Sequence, residues 1–292
     1  MKSRIILFAL FLNMLHYSPL YGQKNWELQF GSGISYSVNK VPVGQSTYLD
    51  LNNVLKNEEI LSTYGSGSQS GLTMNKHFDS LPIYLSFGLN HLIGASSITN
   101  ADLATSEKRY STMQSIQLLT VLGIGYRQNI FKDFSLYAQT NLAIPTYTRM
   151  KEQNFYIMEE TKSDYTKIYR MSFSAGFAWN LGFKLKISDR LFFKGEYNGI
   201  FLNQNKVRSY ISNYNHNQGK TLQEEFPNVY QRETLFFENI EDIKNDQILF
   251  PNTFDPNQAQ HFLIKGQEPH SRHGIMFSIS WVFSTKKAKN LE

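Results

Sequence analysis

The sequence predicts an all-β, membrane-spanning antiparallel barrel of the up-and-down type, and three observations carry that reading. Long segments alternate apolar with small or polar residues at a period of two, the N-terminus has the parts of an export signal, and no later apolar run approaches the ~18 residues of a membrane helix. In hydrocarbon every backbone N–H and C=O needs an internal partner, so an exported chain without such a helix is a closed barrel or is soluble. A soluble sandwich would put charges on its exposed strand face; here the second face is rich in Gly, Ser and Asn, which suits a crowded lumen.

Composition narrows the field further. The 292 residues are 41% hydrophobic and 14% aromatic, too apolar for a disordered chain. Zero cysteine removes a disulfide scaffold, a thiolate metal site and a cysteine nucleophile. The net charge of +5 comes without a dense Lys/Arg face, so nucleic acid is not an expected partner.

Lys2 and Arg4 precede an apolar run from Ile5 to Leu15, broken by Asn13, and Pro19 leads to a cleavage point after Gly22. Residues 1–22 are therefore expected to be a signal peptide, 23–283 the barrel, and 284–292 a short periplasmic tail.

The strands are read in order from their alternation. Residues 26–38 set Trp26, Leu28, Phe30, Ile34 and Tyr36 against Glu27, Gln29, Gly31, Gly33 and Ser35. Residues 81–89 set Ile83, Leu85 and Phe87 against Tyr84, Ser86 and Gly88, and a turn at Asn90-His91 would start a third strand at 92–100. Strands at 111–128 and 134–149 are joined by the short turn Asn129-Ile130-Phe131-Lys132-Asp133. The run 168–187 has the sharpest contrast, with Tyr169, Met171, Phe173, Phe177, Leu181 and Leu185 on one face. Ser188-Asp189-Arg190 turns into 191–204, and 272–283 closes the set with Ile275, Phe277, Ile279, Trp281 and Phe283.

That makes eight strands, or ten if the last long loop hides a hairpin. Short turns alternate with long connections at 39–80, 101–110, 150–167 and 205–271, as at the periplasmic and outer ends of a barrel. Aromatics at strand ends, among them Trp26, Tyr36, Tyr126, Tyr147, Tyr169 and Trp281, read as interfacial girdles. Residues 50–61 are expected to form a short amphipathic helix capped by Asp50.

The signal ending Tyr21-Gly22-Gln23, the strand Leu122-Gly123-Ile124-Gly125-Tyr126 and the closing Ser280-Trp281-Val282-Phe283 together resemble the small outer-membrane β-barrels of Bacteroidota, the family that includes PorT-type barrels. The resemblance implies localisation in the cell outer membrane, contact with its lipid and lipopolysaccharide, recognition of the last strand by the barrel-assembly machinery, and a link to secretion machinery. The segment after Phe283, Ser284 to Glu292, departs from the pattern, in which the aromatic ends the chain.

Chemistry-bearing groups are sparse. Glu27, Gln29, Arg127, Tyr137, Gln139, Arg170, Lys184, Lys186, Lys194 and Glu196 are expected in the lumen, where buried charges must pair, with Glu27 or Glu196 meeting an Arg or Lys. Ser271 between His270 and His273 is the best arrangement for nucleophilic catalysis, but neighbours on a strand point to opposite faces. His77, His216 and His261 also fall in or near the expected outer loops, and Glu58-Glu59, Glu159-Glu160 and Glu224-Glu225 read as solvated loop charge. No catalytic, cofactor-binding or metal-binding residue is assigned, and no cofactor is expected. Loop 205–271 holds nine aromatics, from Tyr210 to Phe262, more than a solvated loop would carry. The expectation is a non-enzymatic surface interaction or envelope-scaffold protein whose outer loops bind a protein, glycan or lipid partner. The alternatives are a lipid-modifying barrel enzyme and a narrow pore.

Overall fold

A computed structural model of the chain describes residues 25–38, 41–49, 55–62, 65–78, 81–102, 107–158, 160–237, 257, 260–263 and 268–284. In chain order the strands are β1 (Asn25–Ser37), β2 (Val41–Leu49), β3 (Leu55–Ser62), β4 (Gly67–His77), β5 (Ile83–Gly94), β6 (Ser97–Asp102), β7 (Glu107–Phe131), β8 (Phe134–Met158) and β9 (Thr161–Met171). They continue as β10 (Gly176–Lys186), β11 (Leu191–Phe201), β12 (Asn203–Gln204), β13 (Lys206–His216), β14 (Glu233–Phe237), β15 (Gln260–Leu263), β16 (Glu268–Pro269) and β17 (Arg272–Ser284).

Eight of these close a ring. The order β1-β4-β5-β7-β8-β10-β11-β17 returns to β1, every contact antiparallel. Following partners from Glu27 through Asn75, Ser86, Gly123, Asn141, Ala178, Ile200 and Arg272 arrives at Ser37, ten residues further along the starting strand. That stagger tilts the strands and sets a lumen just wide enough for side chains to fill.

Polarity around the ring is that of a membrane barrel. Phe30 is 64% exposed and Phe277 54%, with Ile34, Leu85, Ile124, Leu136 and Leu181 beside them, while Glu27 and Ser280 on the opposite face are fully buried. The belt runs from Trp26 and Trp281 at one rim to Tyr36 at the other. Ten residues at ~3.3 Å each, tilted by roughly 40°, give about 25 Å, the height of an outer-membrane apolar band. The chain is therefore a membrane-spanning β-barrel.

Three short connections, 78–82, 132–133 and 187–190, lie at the same end as the start of the first strand and the end of the last. At the other end β7 and β8 continue well beyond the belt. Above it they carry an outer sheet: β9, β13, β14 and β15 add beyond β8, and β6, β2 and β3 beyond β7. A register shift pairs Leu118 with Tyr147 and Leu119 with Pro145, leaving Thr146 as an extra residue whose hydroxyl donates to the Leu118 carbonyl at 2.9 Å. This bulge exchanges the two faces of β8, so Tyr147 and Arg149 point outward although Ala143 and Pro145 point inward.

Several sequence expectations are corrected here. Residues 67–77, expected as loop, form a full barrel strand; their outward side chains Ser68, Ser70, Leu72, Met74 and Lys76 give too little apolar contrast to announce it. Asn90-His91 is no turn, because Asn90 faces a polar lumen where such a residue is at home, and β5 runs unbroken to Gly94. The expected strand 92–100 is thus the end of β5 plus β6, which belongs to the outer sheet. The run 168–187 divides at 172–175, and Tyr169 is buried in the outer sheet instead of standing at a lipid interface. Most of the expected loop 150–167 is strand, and loop 205–271 contributes to the outer sheet, so the ring stays at eight. Residues 55–62 form a strand against β2 where a helix was expected; Asp50 lies outside the described residues, as do the expected signal peptide and all but the first residue of the tail.

Candidate functional site

The lumen is organised in tiers. Nearest the short turns, Glu27 takes the Lys184 and Lys194 ammonium groups, each at 2.8 Å, and the His77 imidazole at 2.7 Å. Lys184 also lies 4.0 Å from the centre of the Phe192 ring, and Lys194 5.0 Å from that of Tyr137. Lys194 donates to Gln29 at 2.6 Å, and Gln29 donates to Ser278 at 2.9 Å. Glu196 accepts from the Tyr137 hydroxyl at 2.6 Å and from the Asn180 amide at 3.2 Å. These bonds satisfy charges whose burial would otherwise be costly. Tyr84 and Tyr137 can cross the lumen because Gly125 and Gly182 face them: a Cβ at either would stand within 2.7 Å of a tyrosine ring.

Further outward the lumen becomes apolar, with Leu119, Val121, Ala143, Ala178, Ile200 and Leu202 in one buried cluster. Between the polar and apolar tiers is a cavity of about 20 Å³, room for about one water. At the outer end β12, which follows β11, pairs with β16, just before β17. Arg272 is buried and donates to Gln117 at 2.8 Å, while Gln117 donates to the buried Gln204 of β12 at 3.4 Å. At the opposite mouth a vestibule of about 260 Å³, lined by Arg127, Lys132, Lys186 and Asp189 among others, ends on Lys184. There Asp189, held by the Lys186 ammonium at 2.8 Å, keeps its carboxyl below the usual range.

The second region is the outer sheet. Its inner face buries Met113, Met150 and Tyr169, with Met171 and Phe236 packed against them. Phe226, at the end of the helical turn Leu222–Glu225, meets Tyr165 and Tyr214 edge-on at 5.7 Å each. Burial pushes the Tyr165 phenol up to about 12, and burial also lowers Lys167 on the same strand. The turn has a capping box in which Thr221 and Glu224 bond each other's backbone amides, and the Thr221 amide holds the Glu224 carboxyl below its ordinary range.

Of the residues expected in the lumen, nine are there. Arg170 is not: it stands exposed on the outer sheet over the Tyr210 ring at 5.8 Å. His77, expected in an outer loop, sits inside the barrel at the opposite end, because it belongs to β4. The His270, Ser271, His273 grouping is dispersed. His270 is fully buried, where burial and the charges of Arg272 and Lys206 push its imidazole down to about 3. The Ser271 hydroxyl accepts from the Leu202 amide at 3.2 Å, and His273 faces out against the Tyr197 hydroxyl at 2.7 Å. Among the described residues no three His, Asp or Glu side chains gather as for a metal. Glu58 bonds Tyr48 at 2.6 Å, while the side chain of His261 lies outside the described residues.

A ring of eight strands, an apolar belt and a filled lumen define a small outer-membrane-type β-barrel. No family model and no curated protein matches the sequence. Among solved structures the chain is similar to Neisserial surface protein A, at 8% identity and TM-score 0.33 over 89% of this chain and 97% of that one. It is also similar to outer membrane protein AlkL, at 9% and 0.36 over 93% and 95%, and to a major outer membrane protein from Thermus thermophilus, at 9% and 0.35 over 89% and 99%.

Proposed function

We propose that the chain is an integral protein of the cell outer membrane whose barrel is a sealed anchor and whose outer sheet does the work, as a non-enzymatic surface interaction or envelope-scaffold protein. One observation carries this reading: bonded polar side chains around Glu27, an apolar cluster around Leu119 and the Arg272–Gln117 pair fill successive tiers of the lumen. A barrel filled in this way offers solutes no path, whereas the outer sheet offers an extended surface. A link to secretion machinery rests on the PorT-type resemblance alone.

The test has two arms. Purified full chain in planar bilayers is expected to stay silent; steady, large conductance steps would overturn the sealed lumen in favour of a pore. Deleting about residues 212–265 is expected to abolish partner capture at the cell surface while leaving the heat-dependent gel shift of a closed barrel. Undiminished capture would refute the assignment to the outer sheet.

A further inference from the structure

The outward face of the outer sheet carries three arginines side by side. Register sets Arg149 of β8 opposite Arg170 of β9, and Arg170 opposite Arg208 of β13. Directly opposed residues share a face with Cβ atoms ~4.5–5.5 Å apart, and like charges so placed destabilise the pair. Lys151 stands on the same face two residues further along β8. The carboxylate facing the row, Glu233, is taken by Arg208. Arg149, Lys151 and Arg170 make no ion pair among the described residues. Four cations in one row against a single carboxylate leave positive charge for an anion to neutralise.

The position of the row says where that anion comes from. Arg149 is the second residue beyond Tyr147, an exposed aromatic at the outer rim of the apolar belt. At ~3.3 Å per residue and a tilt of roughly 40°, the row stands about 5 Å above that rim, at headgroup depth. It also faces outward, away from the lumen and towards the surrounding lipid. Guanidinium groups suit phosphate because their planar forks donate two parallel bonds.

We propose that Arg149, Arg170 and Arg208, with Lys151, bind the phosphate groups of an anionic lipid headgroup in the leaflet around the outer end of the barrel. This rests on the membrane-barrel reading and gives its outer sheet a specific ligand class. Because the anion relieves repulsion within the ladder, binding and sheet stability are linked.

The test uses the full chain refolded in phosphatidylcholine nanodiscs, with or without diphosphoryl lipid A, and native mass spectrometry to score retained lipid. Arg149→Gln/Arg170→Gln is expected to weaken retention by about tenfold or more. Lys108→Gln/Lys162→Gln, with the same charge change at the far tip of the sheet, is expected to stay within about twofold. A second readout changes sign: Arg170→Gln does not lower the unfolding midpoint without lipid A, but lowers it when lipid A is present. Equal retention by the double arginine variant, equal retention of dephosphorylated lipid A, or full displacement by inorganic phosphate at matching concentration would each overturn the site. The gel shift of the same wild-type sample separates the two layers of inference. An intact shift without retention removes only the lipid site, and a missing shift removes the barrel reading and the site together.

Discussion

Strands β7 and β8 pass through two environments, and their side chains exchange roles between them. Within the belt, Ile124 and Leu142 face lipid while Arg127, Gln139 and Asn141 face the lumen. Above it, Met113 and Met150 are buried on the inner face, and Arg149 and Lys151 stand on the outer one. One chain thus builds an inside-out barrel and an ordinary amphipathic sheet in succession. The hydrophobic effect explains the exchange: apolar side chains go wherever water is absent, outward in hydrocarbon and inward above it. The comparison also separates two ways of holding a structure, charge pairing in the lumen and apolar packing in the sheet.

The largest expected effect tests the first. Glu27→Gln leaves two buried ammonium groups without their shared carboxylate, and breaking a buried pair in this way costs about 3–5 kcal/mol. Urea unfolding of the refolded barrel, followed by its gel shift, should show that loss; a midpoint like wild type would mean that Lys184 and Lys194 find other partners. Next comes Met150→Ala, expected to cost about 2–4 kcal/mol, but only in the outer sheet. Hydrogen exchange should quicken across 149–171 while the barrel midpoint holds. An equal fall in both would show that the two regions unfold as one. The smallest effect lies at the edge of the sheet. Because the folded Glu224 carboxyl titrates below its ordinary range, it stabilises the turn Leu222–Glu225 at and above that range. That contribution is lost as pH falls through the lower folded value. Exchange protection of the Glu224 and Glu225 amides should therefore decline below about pH 4, and pH-independent protection would show that the cap does not depend on the charge.

The barrel is legible in the sequence where lipid-facing residues are large. β1, β10 and β17 announce themselves through Phe30, Leu181 and Phe277 against small or polar neighbours. β4 is hidden because Ser68, Ser70 and Lys76 occupy its outward face. The missing strand is offset by a false one at 92–100, so the expected count of eight arises from two compensating errors. The lumen charges are legible too, since inward polar residues on an apolar-faced strand have nowhere else to go. The arginine row is not. Arg149, Arg170 and Arg208 are distant in sequence and become neighbours only through the register of β8, β9 and β13, which the bulge at Thr146 resets. A period-two reading that carries on through a bulge assigns every later side chain to the wrong face.

The pairing of β1 with β17 has a consequence for biogenesis. The ring is sealed between the first strand and the last, Asn25 against Ser284, so nearly the whole polypeptide must exist before the seam can form. Until then the two free edges present rows of unpaired amides and carbonyls that hydrocarbon cannot accommodate. Insertion is therefore all-or-none with respect to chain length. A chain that stops anywhere before Arg272 lacks the strand that seals β1 and leaves an open sheet in place of a ring.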